Sequence, residues 1–226
     1  MPAASLLHNW YLFWLGAAAG LTILAMTAYL GVSPRWLKWL LLASGALVIS
    51  RYVTMALFAT SAEPQRLWGL RACWYGTSVG LTLPALVAID QLIRHPAMTP
   101  KKLLLRFAPF LVAYGMILFL GNYELVADRV VGMRPQFIGW AVWVLSLVQG
   151  CFVLGLLGFS TLLIRKLPIR RIQLALLGLM AAFVYLGVDG IVTSLGWWYF
   201  RPFLFSEITA LAAIWFAFHT ARSSVV

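Results

Sequence analysis

WLKWLLLASGALVISRYVTMALFA, residues 36–59, is the stretch on which the fold turns. A helix rising about 1.5 Å per residue over this length crosses the ~30 Å hydrocarbon core of a bilayer. One charge, Arg51, interrupts its outer half. A charge in hydrocarbon costs several kcal/mol by order of magnitude, so such a residue pairs, faces a cavity or does chemical work. Arg71, Asp189 and Glu207 stand inside similar runs. These four residues are the most informative chemistry in the chain.

The composition agrees with a membrane reading. Of 226 residues, 63% are hydrophobic and 10% charged, and the mean hydropathy is +0.92. A soluble domain carries about 25% charged residues. Apolar runs cover 10–30, 36–59, 67–93, 103–121, 137–164, 172–196 and 203–221. Each reaches the ~20 residues a spanning helix needs, or nearly so in the last two. The expected fold is all-α: one domain, residues 1–226, a bundle of seven transmembrane helices in a cytoplasmic-type, prokaryotic membrane. No basic region precedes the first run and the run is full length, so it reads as a retained helix rather than a cleaved signal peptide. The longest connection, residues 122–136, reads as a loop.

The net charge of +11 does not point to nucleic acid, because the basic residues sit in short turns between apolar runs. Arg35, Lys38, Arg94, Lys101, Lys102, Arg106, Arg165, Lys166, Arg170, Arg171 and Arg222 fall on one side. Arg66, Arg71, Arg129, Arg134 and Arg201 fall on the other. The richer side is expected to be cytoplasmic, with the N-terminus outside and the C-terminus inside. Trp10, Trp14, Trp68, Trp74, Trp140, Trp143, Trp197 and Trp198 gather toward the outer face, as an interfacial belt or as walls of a pocket. Gly16 and Gly20 form a GxxxG pattern that lets another helix approach closely.

Depth along ideal helices sets the charges in register. Arg51 lies ~22 Å and Asp189 ~26 Å from the inner starts of their spans, while Arg71 lies ~6 Å below its outer start, level with Glu207. This matches Arg51 with Asp189 and Arg71 with Glu207. Arg71, Tyr75, Ser78 and Thr82 form one polar stripe at helical spacing, and Tyr185, Asp189 and Thr193 a second. Polar stripes on apolar helices face a protein interior or water rather than lipid. The expected ligand-binding residues are Arg51, Arg71, Trp74, Tyr75, Ser78, Tyr185, Asp189, Trp197 and Glu207, around a cavity open to the outside. Paired charges that only hold the bundle together are the competing reading.

Catalytic patterns are missing from the sequence. An aspartyl dyad needs two carboxylates sharing a proton, but Asp90 and Asp189 lie ~20 Å apart in depth. Gly76-Thr77-Ser78 resembles a serine nucleophile site, yet His219, its nearest base in kind, belongs to the opposite membrane face. HExxH and P-loop motifs do not occur. The seventh run has no Lys for a retinal Schiff base. Cys73 and Cys151 form no CxxC, and no two of His8, His95 and His219 share a mid-membrane depth, so no metal or cofactor is expected. A transporter of 3+1+3 design remains open, although only Pro84 and Pro109 are clearly intramembrane breakers.

Leu67-Trp68-Gly69-Leu70-Arg71, Leu83-Pro84-Ala85-Leu86, Phe137-Ile138-Gly139-Trp140, the basic turn Arg170-Arg171-Ile172-Gln173 and the ending Ala221-Arg222 carry a further likeness. In layout and length the chain resembles the seven-transmembrane sensor region of bacterial membrane histidine kinases and related signalling proteins. The resemblance implies detection of an external or membrane-dissolved ligand and relay to a cytoplasmic output domain. The sequence stops at Val226 without kinase, cyclase or coiled-coil linker, so relay would require a cytoplasmic or membrane signalling partner. The expected function is thus a receptor-like or sensory membrane protein, in contact with lipid, binding a small ligand from outside. A small-solute transporter or channel using the same charges is the alternative.

Overall fold

The computed structural model describes residues 2–61, 63–93, 99–128, 130–164, 167, 169–194 and 204–223. The elements run α1 (Pro2–Tyr29), α2 (Arg35–Thr60), a 3-10 helix (Pro64–Tyr75), α3 (Thr77–Gly80), α4 (Thr82–Ile93), α5 (Pro100–Leu120), β1 (Asn122–Asp128), β2 (Gly132–Ile138), α6 (Trp140–Ile164), α7 (Arg170–Ser194) and α8 (Phe205–Ser223). Among the described residues, five helical stretches are long and apolar enough to cross a membrane: Leu6–Tyr29, Arg35–Thr60, Pro64–Ile93, Trp140–Ile164 and Arg170–Thr193. Leu104–Ile117 in α5 is a shorter apolar helix. α8 is not one of the five; Ser206, Glu207, Thr209, His219 and Arg222 dilute its apolar residues.

Those polar residues fit the place α8 occupies. It packs against α1, α4 and α7, and it buries Ser206, Glu207, Ala210, Leu211, Ile214, Ala217 and Phe218. Small side chains bring its neighbours close. On α2, a Cβ at Gly45 would meet Met26 Cγ at 2.6 Å. At Gly80 it would run into Val48 and lie 2.9 Å from the Ser44 carbonyl, so only glycine admits α3 to the side of α2. Gly16 and Gly20 behave differently from expectation. Neither would meet a neighbour within 4 Å, so among the described residues the GxxxG pattern joins no two helices.

The third apolar run is broken where a continuous helix was expected. Its first half is a 3-10 helix, followed by the short α3 and then α4. Runs of 3-10 helix this long are uncommon, because side chains three apart eclipse and hydrogen-bond geometry is poorer. Here external partners hold it: Tyr114 Oη donates to Ala72 O at 2.9 Å, and Trp74 packs edge-on to Phe58 at 5.7 Å.

The loop expected at 122–136 is a β-hairpin, so the all-α reading is incomplete there. β1 and β2 pair antiparallel, with Tyr123 opposite Phe137, Leu125 opposite Pro135 and Asp128 opposite Gly132. Alternation explains the strands: Asn122 and Glu124 are exposed, while Tyr123 and Leu125 are half-buried beside the buried Pro135 and Phe137. At the turn, Asp128 Oδ1 accepts from Val130 N–H (2.8 Å) and Val131 N–H (3.1 Å). Gly132 follows at φ +82°, left-handed backbone that glycine adopts without a Cβ penalty. The hairpin folds back onto the bundle. Val131 is fully buried, a Cβ at Gly132 would sit 3.2 Å from Ala59 Cα, and His8 Nδ1 lies 2.9 Å from Val130 O.

Candidate functional site: a hairpin-covered cleft around Arg51 and Glu207

A cavity of about 320 Å³ lies at the hairpin end of the bundle. α2 supplies Arg51 and Met55, and the broken third run supplies Trp74, Tyr75, Thr77, Ser78 and Thr82. The hairpin closes one end with Val131, Arg134, Pro135, Gln136 and Phe137. α6 contributes Ser146, Gln149 and Phe152; α7 contributes Phe183, Gly187, Gly190 and Thr193; α8 begins at the cavity and adds Glu207. Ser146 and Gln149 are exposed, so the cavity is a cleft open on its α6 side.

Arg51 and Glu207 form its charged centre. Arg51 Nη2 donates to Glu207 Oε1 at 2.5 Å and Nε to Oε2 at 3.2 Å, a two-point contact with both residues almost fully buried. Glu207 occupies the first turn of α8, where free backbone N–H groups and the helix dipole favour a negative charge. Tyr11 and Tyr52 are buried close enough to feel both charges. Arg51 Nη1 has no hydrogen-bond partner among the described residues and is not sealed from open space. The guanidinium therefore keeps donor capacity on a side chain that lines the cleft.

The charge pairing differs from the depth estimate. Arg51 meets Glu207, not Asp189, whose Oδ2 instead accepts from Ser206 Oγ at 2.6 Å. Arg71 does not reach Glu207. It donates from Nη1 to Trp68 O at 3.0 Å and lies over the rings of Trp68 and Tyr123, at 5.0 and 5.3 Å. The cause is the 3-10 backbone: a rise of about 2.0 Å per residue carries Arg71 further toward the hairpin than an α-helix would. The same geometry breaks the spacing of the expected stripe.

Of the residues singled out in the sequence, Arg51, Trp74, Tyr75, Ser78 and Glu207 line the cleft. Arg71, Tyr185 and Asp189 do not, and Tyr185 is 40% exposed. Trp197 lies outside the described residues. Tyr75 ties the 3-10 helix to the hairpin: its hydroxyl donates to Pro135 O (3.1 Å) and accepts from Phe137 N–H (3.3 Å), and its ring lies 4.1 Å from that of Phe137.

Sequence reasoning passed over Arg134, Gln136, Ser146 and Gln149. Gln149 Nε2 donates to Ser78 Oγ at 3.1 Å, joining α6 to the third run. Its signal was present: Ser146 and Gln149 are three residues apart on one face of an apolar helix. Arg134 and Gln136 were hidden by the reading of their segment as a loop. Among the described residues, no three His, Cys, Asp or Glu side chains come together as a metal site would require.

Near the cleft, the Tyr123 phenol has its pKa pushed up to about 12, first by burial and then by Tyr75, against the lowering effect of Arg71. It stays a neutral part of the aromatic cluster Tyr75–Tyr123–Phe137.

Fold and cleft together define a class: a helical bundle with helices of membrane-crossing length and a polar, aromatic cleft covered by a β-hairpin. No protein-family model matches the chain, and no curated protein matches it significantly.

Proposed function

We propose that this is a receptor-like, multi-pass protein of a cytoplasmic-type membrane, whose cleft binds a small or membrane-dissolved ligand and reports occupancy to a partner. In this reading all seven apolar segments cross the bilayer, α5 and α8 included. The hairpin end lies outside, because Arg35, Lys38, Lys101, Lys102, Arg170 and Arg171 gather at the other end. The observation that carries the reading is the cleft of about 320 Å³ with a buried ion pair at its centre. Small-molecule sites are concave, largely apolar and furnished with a few polar groups, at about this volume.

In this reading α8 is the relay. Glu207 lies in the first turn of α8, and α8 packs against α1, α4 and α7. A ligand acceptor taken by Arg51 would compete with Glu207 and favour one of two settings of α8, which is how a ligand shifts a two-state bundle.

Thermal unfolding of the purified chain against a metabolite library tests this, run beside Gly190→Leu. Gly190 lines the cleft and a Cβ there meets nothing within 4 Å, so leucine is the choice to occupy cleft space from that wall. A compound that raises the wild-type midpoint but not that of the filled variant is a cleft ligand. Flux of that compound into proteoliposomes then separates the classes: none for a receptor, saturable uptake for a transporter. If no compound distinguishes the two proteins, the cleft is not a ligand site.

A further inference from the structure

From the hydrogen-bond donors that face the cleft without a partner, we infer the ligand class: a small neutral carbonyl compound, an oxygen acceptor on an apolar body. The inference rests on the cleft being a ligand site.

The charged residues of the lining are all engaged. Arg51 and Glu207 hold each other through two contacts, and Arg134 already has a partner. An ionic ligand would enter low-dielectric surroundings without compensation, which is costly. What the lining leaves open is hydrogen bonding. Thr77 is only 9% exposed, and its Oγ1 has no hydrogen-bond partner among the described residues, yet it is not sealed from the cleft it lines. Arg51 Nη1 is in the same condition. Gln149 donates one amide N–H to Ser78 and keeps the other. Arg51 and Thr77 share a wall. A Cβ at Gly76 would lie 2.6 Å from Leu47 O, so α2 and the third run touch there, with Thr77 next along and Arg51 one turn on. All three groups donate, and a guanidinium cannot accept, so the complementary ligand atom is an oxygen acceptor. A carbonyl oxygen is neutral and accepts from two donors at once.

The rest of the cleft calls for an apolar body. On α6 and α7 the walls include Phe152, Phe183 and Leu186. The volume of about 320 Å³ stands at the lower end of small-molecule sites. The open side points to the route. Ser146 and Gln149 sit on α6 beside Trp143 and Leu147, which are 79% and 68% exposed. A cleft opening through so apolar a face suits a neutral molecule dissolved in lipid, which sheds no charge hydration on entering.

The test uses the full chain in lipid nanodiscs and a series sharing one body: decan-2-one, decane, decanoate and decylamine, with cyclohexanone as a water-borne carbonyl. Decan-2-one is expected to raise the unfolding midpoint of the wild type and not of Gly190→Leu, while decane, decanoate and decylamine leave both unchanged. Thr77→Val removes a hydroxyl that bonds to nothing in the described chain, so the ligand-free midpoint should hold. The same variant should weaken decan-2-one about tenfold, the loss of one hydrogen bond, and Thr77→Ser should keep most of the affinity. Cyclohexanone acting like decan-2-one also supports the class and assigns the ligand to the aqueous phase; decan-2-one alone assigns it to the lipid phase. A cleft-dependent shift by decane, decanoate or decylamine equal to that of decan-2-one overturns the inference and leaves the cleft a ligand site. A decan-2-one shift that survives in Gly190→Leu or is unchanged in Thr77→Val, or no shift by either ketone, overturns it as well. Whether the cleft binds anything is then decided separately by the library screen.

Discussion

The stretch Pro64–Ile93 and the helix α6 (Trp140–Ile164) both satisfy the length and hydropathy of a membrane crossing, yet the bundle uses them in opposite ways. In the most apolar part of the first, mean hydropathy is 1.4 and 67% of residues are buried; in that of α6 the values are 2.1 and 17%. The less hydrophobic segment is the one inside. Trp143, Leu147, Leu154 and Leu162 of α6 are all strongly exposed, while Trp74, Thr77, Gly80, Thr82 and Pro84 of the first are buried. In lipid, tails are as apolar as leucine, so apolar side chains gain little by turning inward. Interiors then collect small residues, for close approach, and polar residues, which have no partner in hydrocarbon.

The sharpest way to break this comparison is the ion pair that the interior shelters. Arg51→Met or Glu207→Leu alone leaves one buried charge uncompensated and should cost about 3–5 kcal/mol, while the double variant should regain most of it. Denaturant unfolding of the purified proteins measures this. Single variants as stable as the wild type would mean that the charges are solvated rather than buried together.

Next in size is one substitution made in both regions. Gly80→Ala drives a methyl into Val48 and toward the Ser44 carbonyl and should destabilise by roughly 1–3 kcal/mol, as overpacking does. Gly155→Ala in α6 meets nothing within 4 Å and should be neutral or stabilise by about 0.5–1 kcal/mol, from helix propensity. Equal effects at the two sites would erase the distinction between inside and outside.

The smallest effect sits where the hairpin meets the broken run. With its pKa raised to about 12 from an ordinary value of about 10, Tyr123 binds its proton more tightly folded than unfolded. Its contribution is complete below pH ~10 and is lost as pH rises through ~12. Tyr123→Phe should remove one phenolate step above the ordinary tyrosine range from the absorbance titration and flatten that part of the alkaline stability decline. Loss of a step near pH ~10 instead would show that Tyr123 is solvated like an ordinary surface tyrosine.

Legibility in the sequence followed the strength of the local signal. The expected run 36–59 and the helix Arg35–Thr60 differ by one residue at each end, because a long apolar stretch between Pro34 and the polar Ser61 leaves little choice of boundary. Arg51 and Glu207 stood out for the rarity of charge among apolar residues. Their pairing did not, since level along a helix does not say which helices are neighbours, and the match of Arg71 with Glu207 assumed an α-helical rise that the 3-10 helix does not obey. The hairpin was missed because seven-residue strands with one buried face resemble a polar loop when read alone, and Arg134 and Gln136 were lost with it.

Sequence alone determined the helical class, the apolar segments and the residue types of a polar site, since each follows from the free energy of transferring side chains and backbone out of water. Only the tertiary structure decided which arginine meets which carboxylate, that a hairpin covers the cleft, and which apolar faces turn inward. Those outcomes depend on distances between segments far apart in the chain, and among segments equally at home in lipid hydropathy does not rank them.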